Sequence, residues 1–221
     1  MSQNLYAAVD AYLSSSLVPP DPIFDAVLQS HVAAGLPPIA VQPTLGKFLN
    51  LLARINHAKE ILEIGTLGGY STIWMARALP PTGRLVTLEF DPKHAEVARK
   101  NFQQAGLARV IEIHIGKALD TLPQVAAAHP APFDLIFIDA DKQNNPSYFA
   151  WALKLSRPGS IIIVDNVVRD GAILNAASDS PDIRGIRQLF ADLASEPRVQ
   201  ATAIQTVDAK GHDGFVLALV L

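Results

Sequence analysis

Two short runs, Leu135-Ile136-Phe137-Ile138 and Ile161-Ile162-Ile163-Val164, are apolar at every position. A strand alternates its side chains between two faces, so a run with no polar member needs cover on both. That is the condition of a central strand in a parallel sheet, and it argues against a sheet with one wet face. The two runs extend to Phe133–Asp139 and Ser160–Asp165, and β-rich runs precede them at Glu60–Ile64, Arg84–Glu89 and Val110–Ile115. Helix-length stretches lie between, at Tyr70–Leu79, Pro92–Ala105, Ala118–Ala128 and Ser147–Leu155. Strands alternating with helices predict an α/β fold, doubly wound, with a mostly parallel sheet covered on both faces. After a helical stripe over Ile183–Leu193, Val199–Val207 and Phe215–Leu221 read as two more strands. The connection Asp208–Gly214 is too short for a crossover helix, so this pair is expected to be an antiparallel C-terminal hairpin.

Residues 1–57 differ from the rest. Leu5, Ala8, Val9, Tyr12 and Leu13 recur at helical spacing, Asp21-Pro22 opens a second helix that ends at Gly35, and Leu45, Phe48, Leu49 and Leu52 form a third stripe after Pro43. We read extra N-terminal helices (1–57) on an α/β core (58–221), together one domain over 1–221. Of the 221 residues 49% are hydrophobic, which excludes disorder and supplies a large core. Eighteen basic against 21 acidic residues leave a formal charge of −3, which argues against a general basic surface for nucleic acid. The absence of cysteine excludes disulfides, thiolate metal sites and a cysteine nucleophile. The histidines at 31, 57, 94, 114, 129 and 212 form no HxxxH or HExxH pair, so no histidine metal site is expected; His94 and His114 read as ordinary surface residues. No apolar run approaches the ~18 residues that cross a bilayer, and Met1-Ser2-Gln3-Asn4 carries no basic leader, so a cytoplasmic protein is expected.

The first strand of the core runs into Gly65-Thr66-Leu67-Gly68-Gly69. Glycines at a strand-to-helix corner let backbone approach a ligand at the carboxyl end of the sheet. The second strand ends in Glu89, 24 residues after Gly65, where an acid accepts from both ribose hydroxyls of an adenosine. Leu67 stands where a dinucleotide loop has its second glycine, and Glu63 places a carboxylate where two phosphates would be repelled. A cationic nucleoside suits such a site better, and S-adenosylmethionine, with its ammonium and sulfonium, is the cofactor expected.

Acids also end the fourth and fifth strands, in Asp139-Ala140-Asp141-Lys142 and Asp165-Asn166. Neighbouring parallel strands run about 4.8 Å apart, so Asp139, Asp165 and Asn166 can converge on one ion, or the acids can simply cap the next helix or turn. Three oxygen ligands without His or Cys suit Mg²⁺, and equally Mn²⁺. Lys142 begins the segment along the same edge, where a dication and desolvation would make it a usable base.

Together these residues resemble the metal-dependent class I S-adenosylmethionine O-methyltransferases, which include the catechol and caffeoyl-coenzyme A enzymes. The resemblance spans about residues 36–221 and rests on Leu62-Glu63-Ile64-Gly65-Thr66-Leu67-Gly68-Gly69-Tyr70-Ser71, Ile138-Asp139-Ala140-Asp141-Lys142, Val164-Asp165-Asn166 and Asp213-Gly214-Phe215. It implies a Rossmann-like, seven-stranded sheet with the last-formed strand antiparallel, and a homodimer. It also implies Asp139, Asp165 and Asn166 as metal ligands and Lys142 as catalytic base. Glu63, the Gly65-Thr66 backbone and Ser71 would hold the methionine portion, Glu89 the ribose, and Ala118 would lie by the adenine. Val41 would close its backbone over the cofactor, and Asp139 would serve metal and cofactor alike.

The chain departs from the plant caffeoyl-coenzyme A enzymes at Asn145, where they have tyrosine, and at Val167-Val168-Arg169, where they have tryptophan; these positions are expected to line the acceptor pocket. Asp139-Ala140-Asp141-Lys142 also separates it from the animal catechol enzymes. Arg169 and Asp170 lie beside the expected metal, as acceptor contacts or as solvated loop. The expected acceptor is a small phenol with vicinal oxygens. The alternatives are a nicotinamide-dependent oxidoreductase and a non-catalytic nucleoside-binding protein on the same fold. A nucleic-acid base methyltransferase is disfavoured, because the fourth strand lacks an Asn/Asp-Pro-Pro-aromatic string at its end.

Overall fold

The structure, a computed structural model, describes residues 3–221; Met1 and Ser2, part of the segment read above for a leader, lie outside the described residues. The chain runs α1 (Gln3–Leu17), α2 (Pro22–Ala34), α3 (Pro43–Ile55), β1 (Glu60–Ile64), α4 (Tyr70–Ala76), β2 (Arg84–Glu89), α5 (Pro92–Gln104), β3 (Ile111–Ile115), α6 (Ala118–Ala128) and β4 (Leu135–Ile138). It continues with α7 (Asn145–Leu155), β5 (Ile161–Asp165), α8 (Pro181–Ser195), β6 (Val199–Asp208) and β7 (Gly211–Val220), with single 3₁₀ turns at Lys142–Asn144 and Ala172–Leu174. Local chemistry sets several of these limits. Asp21 caps α2 by accepting from the Ile23 N–H at 2.9 Å, with Pro22 at the first helical position and Gly35 left-handed at the end. Asp91 does the same for α5 through Lys93 N–H, at 2.8 Å.

The strands form one seven-stranded sheet in the order β3-β2-β1-β4-β5-β7-β6. The first five are parallel; β7 is inserted between β5 and β6 and runs antiparallel to both. The period-two alternation of strands splits the apolar runs between two cores. Leu62, Ile64, Val86, Ile136, Ile138, Ile162 and Val164 face one side, with residues of α6, α7 and α8. Ile61, Leu85, Leu135, Phe137 and Ile163 face the other, with residues of α2 to α5. The helical layer expected over 1–57 is present, but α1 buries none of its residues, and Leu5, Val9, Tyr12, Leu13 and Leu17 are exposed along it.

Several expected boundaries move, two of them for plain local reasons. Helix α4 ends at Ala76 rather than Leu79, because Pro80 disfavours helical backbone before it and the N–H groups of Ala78 and Leu79 tighten onto Met75 and Ala76 carbonyls. The hairpin is tighter than the Asp208–Gly214 connection suggested: pairing continues to Asp208↔Gly211, leaving Ala209 and Lys210 as the turn. Asp208 stabilises it by accepting from Lys210 N–H at 2.7 Å. Among the described residues no helix is long and apolar enough to cross a membrane.

Candidate active site

The order of parallel strands reverses between β1 and β4, which opens a crevice at their carboxyl ends. A cleft of about 860 Å³ lies there, and Val41, Gly65, Thr66, Ser71, Glu89, Ala118 and Asp139 are all in its wall. Gly65 is required by the close approach of two strand ends. Its φ is +102°, and a Cβ would stand 2.1 Å from the Asp139 carbonyl oxygen. The Asp139 N–H in turn donates to Ile64 O at 2.8 Å, so the glycine loop and the end of β4 are stitched together.

Glu89 sits in the cleft wall and also organises the loop. Its Oε2 accepts from the N–H groups of Thr66 (3.2 Å) and Leu67 (2.7 Å), and its Oε1 from Asp91 N–H at 2.9 Å. Glu63 is placed differently from the other expected cofactor residues. It is fully buried behind the cleft rather than in its lining. Ser71 and Thr72 donate their hydroxyls to its two carboxylate oxygens, and Thr87 donates at 2.7 Å. Burial pushes its pKa up to about 7 in spite of those donors. Glu63 therefore reaches the cleft only through other side chains, directly by Ser71 and by way of Thr87 to Thr66, whose hydroxyls lie 2.6 Å apart.

Ile138 and Val164 are paired in register across β4 and β5, so Asp139 and Asp165, each one residue further along, end adjacent strands side by side. Lys142 is buried, with its Nζ 2.8 Å from Asp139 Oδ1. Burial foremost, then the charges of Asp139 and Asp213, push Asp165 up to about 7, against the pull of Lys142 and of the Asn166 N–H. Asp139, Asp165 and Asn166 all line a second cleft of about 580 Å³, which meets the first at Asp139, Asn166, Arg169 and Asp182. Asn166 is left-handed (φ +56°), as are Arg169 and Asp170. This loop is held by Asp213 of β7, whose Oδ1 accepts from Val168 N–H (3.0 Å) and Arg169 N–H (3.1 Å).

Other wall residues were not singled out by sequence. Tyr148 lines the first cleft and donates its hydroxyl to Asp141 Oδ1 at 2.5 Å; burial raises its pKa. It stands one turn beyond Asn145, which was expected in the acceptor pocket but is fully buried outside the lining, because Pro146 starts α7 there and turns position 145 inward. Val167 and Val168 are likewise buried in the core, whereas Arg169 lines both clefts. His94, read above as a surface residue, has Nδ1 3.4 Å from Glu89 Oε1 and joins the wall. Its signal was its place in the first turn of α5, just past an acid-ended strand. Lys210, in the hairpin turn, donates to the Ile39 carbonyl at 3.2 Å and to that of Ala40, which ties down the segment carrying Val41.

A protein-family profile described as O-methyltransferase matches residues 15–219. A catechol O-methyltransferase of Mycobacterium tuberculosis is 56% identical over 212 residues, covering 96% of this chain and 94% of its own. One of Niastella koreensis is 51% identical over 220 residues, all of both chains. The crystal structure of an O-methyltransferase from Bacillus cereus in complex with SAH superposes with a TM-score of 0.98 at 55% identity, again over the whole of both chains.

Proposed function

The chain belongs to the O-methyltransferase family and is an S-adenosylmethionine-dependent enzyme, and from that premise we propose that it methylates a hydroxyl of a small aromatic acceptor with vicinal hydroxyls, aided by a divalent metal. Membership sets aside the nicotinamide-dependent and non-catalytic alternatives. The observation that carries the reading is the junction of the two clefts at Asp139, with Lys142 on its carboxylate and Asp165 at the neighbouring strand tip.

The donor set fits a divalent ion. Two carboxylates end neighbouring strands at the edge of the sheet, with Lys142 Nζ in contact with only the first of them, and burial, reinforced by the charges of Asp139 and Asp213, raises the Asp165 pKa to about 7. Asp139, Asp165 and Asn166 would hold the ion, an all-oxygen set suited to Mg²⁺ or Mn²⁺. When bound, it would supply positive charge that fixes vicinal oxygens and favours the ionised phenol.

The rest is work for the chain itself. Val41, Gly65, Thr66, Ser71, Glu89 and Ala118 hold the donor, with Glu89 on the ribose and the wall beside Ser71 on the methionine portion. Glu63 orients Ser71 from behind. Lys142, as the free amine, accepts the acceptor's phenolic proton at Nζ; the oxygen takes the methyl carbon as the S–CH₃ bond breaks, and the sulfonium leaves as neutral thioether. Attack by an anion on a cation cancels charge, so a dry cleft does not oppose it. Arg169, Asp182 and Tyr148 stand where the acceptor enters. We place this chemistry in the cytoplasm, in a homodimer that covers the exposed apolar stripe of α1, with no nucleic-acid or membrane partner.

Turnover of labelled S-adenosylmethionine against a panel of vicinal diphenols, with and without EDTA, tests the proposal. Methylation of a catechol that falls roughly a thousandfold in chelator and returns with Mg²⁺ supports it. Full activity in excess EDTA, or turnover only on acceptors without vicinal oxygens, overturns it.

A further inference from the structure

Among the described residues one group of three metal-capable side chains brings its ligand atoms within 4.8 Å of one another, and it lies away from both clefts: Glu112, His114 and His129. Glu112 and His114 are two apart on β3, the edge strand, so both point to one face of the sheet. His129 follows the last residue of α6, the helix that runs back over that face. Two-residue spacing on a strand does for ligands what four-residue spacing does on a helix, which is why no HxxxH pair marks this set. Three strand spacings separate β3 from β4, so the group stands at least about 14 Å from the acids at the strand tips.

Hydrogen bonding leaves the group incomplete. Glu112 Oε1 lies 2.7 Å from His114 Nε2, a sound hydrogen bond. Its Oε2 lies 3.4 Å from His129 Nε2, where no hydrogen bond forms. His129 is 6% exposed, and neither of its ring nitrogens has a partner. An imidazole so buried and unpaired, aimed at a carboxylate that already holds a second imidazole, lacks something at the centre. Two imidazoles and a carboxylate form a ligand set that Zn²⁺ takes with its fourth position open, at about 2.0–2.2 Å per ligand. Tetrahedral ligands then stand about 3.4 Å apart, a spacing that small side-chain rotations reach from the present one. Half-exposed Glu112 leaves the open position facing solvent.

We propose that Glu112, His114 and His129 form a Zn²⁺ site that ties the end of α6 to the edge strand, separate from the methyl-transfer site and independent of its metal. Imidazole favours zinc over magnesium, so excess Mg²⁺ should not compete here. The test uses the full chain saturated with Mg²⁺ and SAH, titrated with Co²⁺ as a spectroscopic stand-in for Zn²⁺. The expected result is one equivalent giving the visible absorption of tetrahedral Co²⁺, displaced by Zn²⁺, with a rise in melting temperature on zinc addition. Glu112→Gln and His114→Ala, both at partly exposed positions, should each weaken binding at least about tenfold while leaving turnover with Mg²⁺ unchanged. Absence of the cobalt spectrum, or binding equally tight in both variants, overturns the proposal.

Discussion

Asp139 and Lys142 meet through a 2.8 Å contact between Oδ1 and Nζ, across the turn that leaves β4. The pair has one foot in each proposed role, metal ligand and base. Lys142→Ala should lower the single-turnover rate by about 10²–10⁴ while the affinity for S-adenosylmethionine stays near wild type. Rapid-quench and calorimetric titration measure the two quantities separately; equal losses in both would make Lys142 a structural residue.

Asp165 gives an opposite pair of effects. With a charged neighbour at the adjoining strand tip and most of its surface buried, its ionised form is disfavoured. Asp165→Asn removes that charge at constant shape. In EDTA at pH 8 the variant should be more stable than wild type by about 1–2 kcal/mol, roughly 2–8 °C in melting temperature. Its response to added Mg²⁺, in melting temperature and in turnover, should be lost. A variant that melts lower in EDTA and still responds to Mg²⁺ would separate Asp165 from any ion.

Glu63 makes stability depend on pH. Its folded value is raised from 4.5 to about 7, so the stabilising contribution is full below about 4.5 and is lost as the pH rises through 7. Between those limits the folded state holds a proton that the unfolded chain gives up. Wild type should lose about 2–3 kcal/mol more than Glu63→Gln over pH 5–8, measured by denaturant melts at several pH values. Parallel curves for the two proteins would show that Glu63 is ionised throughout.

Gly65→Ala should be the most damaging single methyl in the cleft. The added carbon meets the Asp139 carbonyl at 2.1 Å, and the positive φ adds about 1–3 kcal/mol of strain. Donor binding should fall along with stability, since the loop and the end of β4 must part. Gly106→Ala, also at positive φ but with open space around it, is the control and should leave donor binding intact.

The fold was legible because its signal is repetitive: each of the five parallel strands ends at or beside a glycine or an acid, and the apolar runs at 135–138 and 161–164 admit only the centre of a sheet. The positions of Asp139, Asp165, Asn166 and Lys142 followed from the strand ends alone. What was not legible depends on contacts between distant segments. Whether Glu63 faces the cleft or hides behind it turns on where the hydroxyls of Ser71, Thr72 and Thr87 sit, and no spacing rule expresses that. The exchange of Asn145 for Tyr148 as a wall residue turns on the phase of α7, which Pro146 shifts by beginning the helix earlier than the apolar stripe suggests. His129 is invisible from β3 until α6 folds back.

The insertion of β7 between β5 and β6 has a bearing on how the molecule is born. The glycine loop, Glu89 and the Asp139–Lys142 turn belong to segments that leave the ribosome early and can pack as β1, β2 and β4 come together. The loop after β5 has its Val168 and Arg169 amides held by Asp213, a residue of the strand synthesised after all the others. A nascent chain can thus bring together the glycine loop and Glu89 early, but the second cleft, and the Ile39–Ala40 rim of the first that Lys210 holds, wait until the closing hairpin slides home.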